Sequence, residues 1–314
     1  MRIIEYKYPE PTVDLPASLV CLGFFDGVHI GHRTLIVDAV KRARGSGLLA
    51  VVFTFPAESE SLKSGAARIY PTEKKLAIFE SLGVDAVVLC DFASVASLSP
   101  ESFVREVLVG SLGARVALAG ADFRFGHRAS GNSDMLRELM RLEGGDAVIH
   151  EMEYIDVPGG RVEVSASLIR EYLSSGRPEL AAELLGEPYT VSGITVHGDG
   201  RGGKNGYPTV NTELPDGSVL LRGVYHTEVR VGGKAYVGLS NVGTCPTFGE
   251  RREHIETYVL DFDEDVYGEC VEIAFLGYLR EERRFESATE LALEIEKNIK
   301  EAVRRSKGGK REDN

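Results

Sequence analysis

The chain has 314 residues, 43% of them hydrophobic and 27% charged, which fits one large or two ordinary globular domains. Its formal charge of −12 excludes a general binder of nucleic acids or acidic membranes, so an anionic substrate must be held by local donors. The four cysteines (Cys21, Cys90, Cys245 and Cys270) form no Cys-x-x-Cys pair, no apolar run reaches membrane-spanning length, and the charged start of the chain lacks a signal core, so cytoplasm is the expected setting.

Taken in order, apolar runs predict strands over residues 18–22, 48–53, 86–90, 115–119 and 147–150. Helices are expected between them. One runs from Arg33 to Ala43. A second starts at Thr72, with Gly83 placed to end it. A third covers 102–110 behind a Ser99 cap with Pro100 in its first turn, and a fourth runs from Ser133 to Leu142. This alternation predicts an α/β domain with a parallel sheet, whose ligands bind at the carboxyl ends of strands. Residues 174–188 read as a linker holding a short helix. Beyond it, strands over 189–196, 223–231, 235–242, 256–262 and 269–275 follow one another without helices, which predicts a small antiparallel β-barrel. Ser287 and Glu290 make a capping box for a terminal helix, with Leu291, Ile295, Ile299 and Val303 on one face. The expected domains are 1–185 and 186–306, followed by a disordered polar tail, 307–314.

The string Gly23-Phe24-Phe25-Asp26-Gly27-Val28-His29-Ile30-Gly31-His32 joins the first strand to the first helix. His29 and His32 share a face at i, i+3. A helix N-terminus offers free N–H groups and a partial positive charge, and glycines admit a ligand close to the backbone. This is a place to bind a polyphosphate and stabilise charge at phosphorus. A second strand end carries Gly120-Ala121-Asp122-Phe123-Arg124-Phe125-Gly126, with aromatics flanking an arginine. A third element, Val164-Ser165-Ala166-Ser167-Leu168-Ile169-Arg170, sets hydroxyls and an arginine at a helix start. Ser165 or Ser167 can cap that helix.

In the second half, Gly198, Gly200 and Gly203 form a formal Gly-x-Gly-x-x-Gly, and 198–205 nearly matches a P-loop. Both motifs require a helix next, which Gly206-Tyr207-Pro208 forbids. What survives is a glycine-rich backbone whose N–H groups, with Arg201 and Lys204, can cradle phosphates. Thr209 and Asn211 stand two apart in an extended segment and face the same way. Their neutral oxygens can join ATP phosphates around Mg²⁺. Glu256 shares a predicted strand face with Tyr258, Leu260 and Phe262, and an acid there is costly unless used or paired.

The first string resembles the His-x-Gly-His signature of the nucleotidyltransferases, and its Phe-Asp-Gly-Val-His portion is similar to the flavin-adenylating branch. Residues 122–126 resemble that branch's Asp-Phe-x-Phe-Gly segment, and 165–170 the nucleotidyltransferase Ser-Ser-Thr-x-Ile-Arg motif. Residues 206–211 are similar to the Gly-Phe-Pro-Thr-Ala-Asn motif of riboflavin kinases, and 241–248, 255–262 and 265–268 also resemble that kinase. From Gly23 to the terminal helix the chain resembles the prokaryotic bifunctional riboflavin kinase/FAD synthetase family. The resemblance implies a Rossmann-like nucleotidyltransferase domain that adenylates FMN to FAD and a barrel that phosphorylates riboflavin to FMN.

By the same resemblance, Glu256 accepts the ribityl proton, and His29, His32 and Arg170 serve adenylation. Gly23, Phe25, Asp26, Gly27, Gly31, Asp122, Ser165 and Ser167 are implied at one nucleotide site. Gly198, Gly200, Arg201, Gly203, Lys204 and Gly206 are implied at the other. Phe123 and Phe125 would meet flavin, and Thr209 and Asn211 would hold Mg²⁺. ATP, riboflavin and FMN are the implied small-molecule partners, with no nucleic acid and no membrane, and self-association is left open. Family members often carry Thr-Phe-x-Pro-His-Pro after the second strand, whereas here Ala57 follows Pro56. Two other readings therefore stand beside the first: a riboflavin kinase whose N-terminal half adenylates weakly or uses another phosphate monoester, and a flavin-binding module without turnover.

Overall fold

The computed structural model of the protein describes residues 1–9, 13, 15–59, 67–196, 209–214, 219–244, 253–262, 264, 266–283 and 285–308. The chain divides into two compact units, Met1–Ala166 and Ser167–Asn314.

In chain order the first unit contains β1 (Arg2–Tyr6), β2 (Ser18–Leu22), α1 (Ile30–Ser46), β3 (Leu49–Thr54), α2 (Thr72–Ser81), β4 (Ala86–Cys90) and α3 (Phe92–Val95). Next come α4 (Pro100–Ser102), which continues as a π-helix over Phe103–Ser111, then β5 (Ala114–Gly120), α5 (Ser133–Leu142) and β6 (Asp146–His150). A small antiparallel ribbon, β7 (Tyr154–Val157) with β8 (Gly160–Glu163), follows.

The six long strands form one parallel sheet in the order β1-β4-β3-β2-β5-β6. The five predicted strands are all present, and β2 is buried at every position, as a central strand covered on both faces must be. The strand order reverses between β2 and β5. A crevice at the carboxyl ends of strands forms at such a reversal, and those two ends carry the 23–32 and 120–126 strings. The strand β1 had no counterpart in the sequence reading, because only Tyr6 of its five residues is buried.

The division falls in the first turn of α6 (Ala166–Ser174), and the second unit continues with α7 (Pro178–Leu185). It continues through β9 (Tyr189–Val196), β10 (Thr209–Glu213), β11 (Gly223–Val231), β12 (Lys234–Thr244), β13 (Glu253–Val259) and β14 (Cys270–Arg280) to α8 (Ala288–Gly308). The six strands close into an antiparallel barrel, β10-β13-β12-β11-β14-β9. Three hydroxyls link strands inside it: Thr227 Oγ1 to Ser240 Oγ and Ser240 Oγ to Thr257 Oγ1, both at 2.8 Å and fully buried.

The short helix expected within 174–188 is α7, which buries Pro178, Ala181, Leu184 and Leu185 and packs on β9 and β14. Pro178 in its first turn and Gly186 at φ 79 after its end give it defined limits. The strand predicted over 256–262 ends at Val259, and Asp261 turns at φ 55. The Ser287 hydroxyl accepts the Glu290 N–H at 3.2 Å, and the Glu290 carboxylate accepts the Glu286 N–H at 3.1 Å.

Candidate functional site

At the end of β2 the backbone makes a tight turn. Phe25, Gly27 and Val28 have φ of 52°, 72° and 40°. Positive φ is expensive for a bulky or β-branched residue, so the surroundings must enforce this turn. Phe25 does part of that: its ring is 1% exposed, lies edge-on to His32 and Phe79, and covers Gly23, where an added Cβ would sit 2.7 Å from the ring. The Asp26 carboxylate is buried and accepts the Ile69 N–H at 3.0 and 3.2 Å. Both side chains, expected from the sequence at the nucleotide site, are engaged by the fold itself. The ring is packed inside, and the anionic carboxylate is spent on a backbone amide.

His29 caps α1. Its Nδ1 accepts the His32 N–H at 3.3 Å, so in the neutral ring the proton sits on Nε2. The two imidazoles stack with centroids 3.5 Å apart. Burial lowers the His29 pKa to about 4. It also holds His32 well below the ordinary range, with His29 and Lys75 adding to the effect. Both rings are therefore neutral at physiological pH, and they offer hydrogen-bond donors rather than cations. Gly31 keeps the helix start open: an added Cβ would lie 3.2 Å from Glu153 Cβ and 3.4 Å from His29 Nδ1.

At the end of β5, Asp122 is exposed, Phe123 half-buried and Phe125 buried at 6% exposure. Phe123 and Phe125 stack at 5.6 Å, and Phe125 also packs on Phe103 within the core. Phe125 thus packs into the core, and Phe123 is the more accessible ring of the pair. Ser165 directly precedes α6, where Ser167 is exposed and Arg170 half-buried.

Sequence reasoning missed two features of the first unit. Phe24, Phe55 and Phe92 form a half-buried aromatic group at the ends of β2, β3 and β4, with centroid distances of 4.5, 5.7 and 5.3 Å. Their spread over three strands hid them, although each follows an apolar run closely. The second is Lys75, 2% exposed, on the same face of α2 as Ile78 and Phe79. A lysine at i−3 and i−4 from two apolar residues was the available signal.

In the barrel, Thr209 Oγ1 donates to Glu256 Oε1 at 2.8 Å. Asn211 lies directly opposite Glu256 on one side and Asn241 opposite it on the other, so three polar residues form a row across β10, β13 and β12. Asn241 Nδ2 in turn donates to Glu282 Oε1 at 2.9 Å. Ile255, Thr257 and Val259 point inward, while His254, Glu256 and Tyr258 occupy the half-buried alternate face. Leu260 and Phe262 lie beyond the strand, so the apolar face expected around Glu256 is shorter than the sequence suggested. The partner that accounts for this acid is the Thr209 hydroxyl. Gly198, Gly200, Arg201, Gly203, Lys204 and Gly206 lie outside the described residues.

Among the described residues no three His, Cys, Asp or Glu side chains gather as a metal site. Thr209 and Asn211 instead offer neutral oxygens beside one carboxylate. That donor set suits Mg²⁺, which keeps water and phosphate as its other ligands. Cys21 and Cys90 are fully buried, and burial pushes the Cys90 thiol up to about 12.

Comparison with known proteins separates the same two regions. Residues 12–163 match the FAD synthetase family model, and residues 185–305 match the riboflavin kinase model. The Bacillus subtilis bifunctional riboflavin kinase/FMN adenylyltransferase is 35% identical, covering 97% of this chain and 98% of that protein. The chain belongs to the bifunctional riboflavin kinase/FMN adenylyltransferase family. Its Escherichia coli K12 member is 32% identical over 94% of this chain and 95% of its own. A Streptococcus pneumoniae crystal structure described as a macrolide-efflux protein shares the fold, with a TM-score of 0.83 and 28% identity over 96% of this chain and 98% of that one. In the present chain no helix among the described residues is long and apolar enough to cross a membrane. The histidine pair falls in the FAD synthetase match, and Thr209, Asn211 and Glu256 fall in the riboflavin kinase match.

Proposed function

We infer that the chain makes FMN from riboflavin and ATP, then FAD from FMN and a second ATP. One observation carries this reading: each site lies in the compact unit matched by the corresponding family, the histidine pair in the first and the Thr209–Glu256 pair in the second.

In the kinase half, Glu256 accepts the proton of the ribityl 5′-hydroxyl as that oxygen bonds to the γ-phosphorus of ATP. The bond from that phosphorus to the bridging oxygen breaks, and ADP leaves. Thr209 and Asn211 are the residues that would hold Mg²⁺, which when bound supplies charge neutralisation on the phosphates. The chain's own contribution is position, since the hydrogen bond from Thr209 fixes the carboxylate and the barrel fixes both residues.

In the adenylyltransferase half, an FMN phosphate oxygen attacks the α-phosphorus of ATP, the bond to the β-phosphate oxygen breaks, and pyrophosphate leaves. His29 meets the triphosphate as a neutral Nε2–H donor at the start of α1, where free backbone N–H groups add to it. Phe24, Phe55, Phe92 and Phe123 offer half-buried rings for the flavin. For Asp122, Ser165, Ser167 and Arg170 the motif alone supports a role with the nucleotide. For the 198–206 segment it supports a cover over the kinase phosphates. The compartment that goes with this reading is the cytoplasm.

A second reading, a riboflavin kinase with a slow adenylating half, draws on Ala57. This residue is 4% exposed, and its N–H is held by Thr72 Oγ1 at 2.9 Å, so no imidazole reaches out from that point. Incubation with riboflavin, ATP and Mg²⁺, with FMN and FAD resolved by chromatography, separates the two. Sequential FMN and FAD supports the bifunctional reading, and FMN alone overturns it in favour of the second.

A further inference from the structure

Lys75 has no part in the site assignments above. Its side chain is nonetheless among the most deeply buried charged groups of the first unit. Nζ donates to Phe24 O at 2.7 Å, to Phe55 O at 3.1 Å and to Thr54 Oγ1 at 3.4 Å. Thr54 Oγ1 also donates to the same Phe24 carbonyl, at 2.9 Å. The ammonium therefore joins the first residues beyond β2 to the last residue of β3 and its successor. These are adjacent parallel strands, and their carboxyl ends border the crevice.

Burying an ammonium costs several kcal/mol, and an apolar side chain of similar volume often stabilises a fold as well or better. Stability alone thus gives little reason for a lysine between Ile78 and Phe79 and the turn. The position of its acceptors gives one. Phe24 O belongs to the same peptide plane as the N–H of Phe25, the residue held at φ 52 directly before Asp26, Gly27 and the histidine cap. Fixing that plane fixes the entrance to the turn. The same bonds set the spacing of Phe24 and Phe55, whose rings meet at 4.5 Å.

We propose that Lys75 is a positioning residue for adenylyl transfer: its buried ammonium locks the main chain beyond β2 and β3, and so holds the 23–32 turn and the Phe24–Phe55 surface in the form that receives nucleotide and flavin. The proposal rests on the adenylyltransferase reading of the first unit. Lys75 acts through the backbone carbonyls and touches no substrate.

The test uses Lys75→Met, Lys75→Arg and Thr54→Val in the full-length chain, with FAD formation from FMN and FMN formation from riboflavin measured on the same preparations. Lys75→Met is expected to lower kcat for FAD formation by about 100-fold, the scale of a small misplacement at a reacting centre, while FMN formation holds. Lys75→Arg is expected to recover part of the loss. Recovery of FAD formation in Lys75→Arg, compared with Lys75→Met at matched thermal midpoints, supplies the readout that simple loosening would not give. A folded Lys75→Met with wild-type kcat for FAD overturns the proposal. If that variant does not fold, Thr54→Val decides: a fall in FAD formation alone supports the clamp, and an unchanged rate overturns it. Failure of the wild-type chain to make FAD from FMN is a different result and removes the underlying reading instead.

Discussion

The Thr209 hydroxyl donates to the Glu256 carboxylate across β10 and β13, with Asn211 directly opposite the same glutamate. On the proposed kinase reading, this arrangement points one oxygen of the acid and leaves the other for the substrate proton. Glu256→Gln keeps the shape and removes the base. It is expected to lower FMN formation about 10²- to 10⁴-fold, the range for a general base, without changing FAD formation from supplied FMN. A chromatographic assay of the two reactions on one preparation checks both halves of that statement.

His29 should show the opposite split. His29→Ala removes a donor at the start of α1 and is expected to reduce FAD formation about 10²- to 10³-fold while FMN formation persists. Equal loss of both products would place the histidine outside the adenylating step.

The buried His29 also sets an acid limit on stability. Its pKa falls from 6.5 to about 4 on folding, so the unfolded chain binds more protons between those values. The contribution to stability is complete above pH 6.5 and is lost as pH drops toward 4, and it amounts to about 3 kcal/mol. His29→Asn keeps a helix cap but does not titrate. Urea unfolding at pH 7 and pH 4.5 is expected to show a smaller acid loss in this variant than in wild type.

Gly23 approaches the Phe25 ring too closely for a side chain, because an added Cβ would meet Cζ at 2.7 Å. Gly23→Ala must displace a ring that is itself packed in the core. The expected result is about 1–3 kcal/mol of destabilisation, read by thermal unfolding, and a loss of FAD formation larger than that of FMN.

Inside the barrel, Ser240 bridges Thr227 and Thr257. Ser240→Ala leaves two buried hydroxyls without this partner and is expected to cost about 1–3 kcal/mol. A shift in thermal midpoint with kcat for FMN formation retained would mark the chain of hydroxyls as structural.

Much of this architecture can be read directly from the residues. Val20, Cys21, Val51, Val52, Val87 and Val88 lie in central strands that are apolar on both faces, so their runs are nearly continuous. The edge strand β1 has no such run, since Arg2 and Ile3 face outward. The histidine turn and Thr209-Val210-Asn211 are compact strings, and local order suffices to find them. Asp26 and Phe25 belong to the first string but serve the fold, a distinction that depends on Ile69 and Phe79, far along the chain. Lys75 was hidden for a similar reason. Its acceptors are main-chain carbonyls, which carry no sequence signal, and a lysine in a helix ordinarily faces water.

The barrel is a closed ring of strands, whereas the parallel sheet ends on one side at β1. There the five-residue pairing from Arg2↔Ala86 to Tyr6↔Cys90 covers β4, whose own residues are Ala-Val-Val-Leu-Cys. Loss of β1 by proteolysis or truncation would expose an unpaired, uncharged apolar strand, which is a template for pairing with other chains. The first few residues are thus a guard against aggregation, with Arg2 and Glu5 placing charge on the outermost edge. Damage there is expected to show as insoluble protein before it shows as altered chemistry.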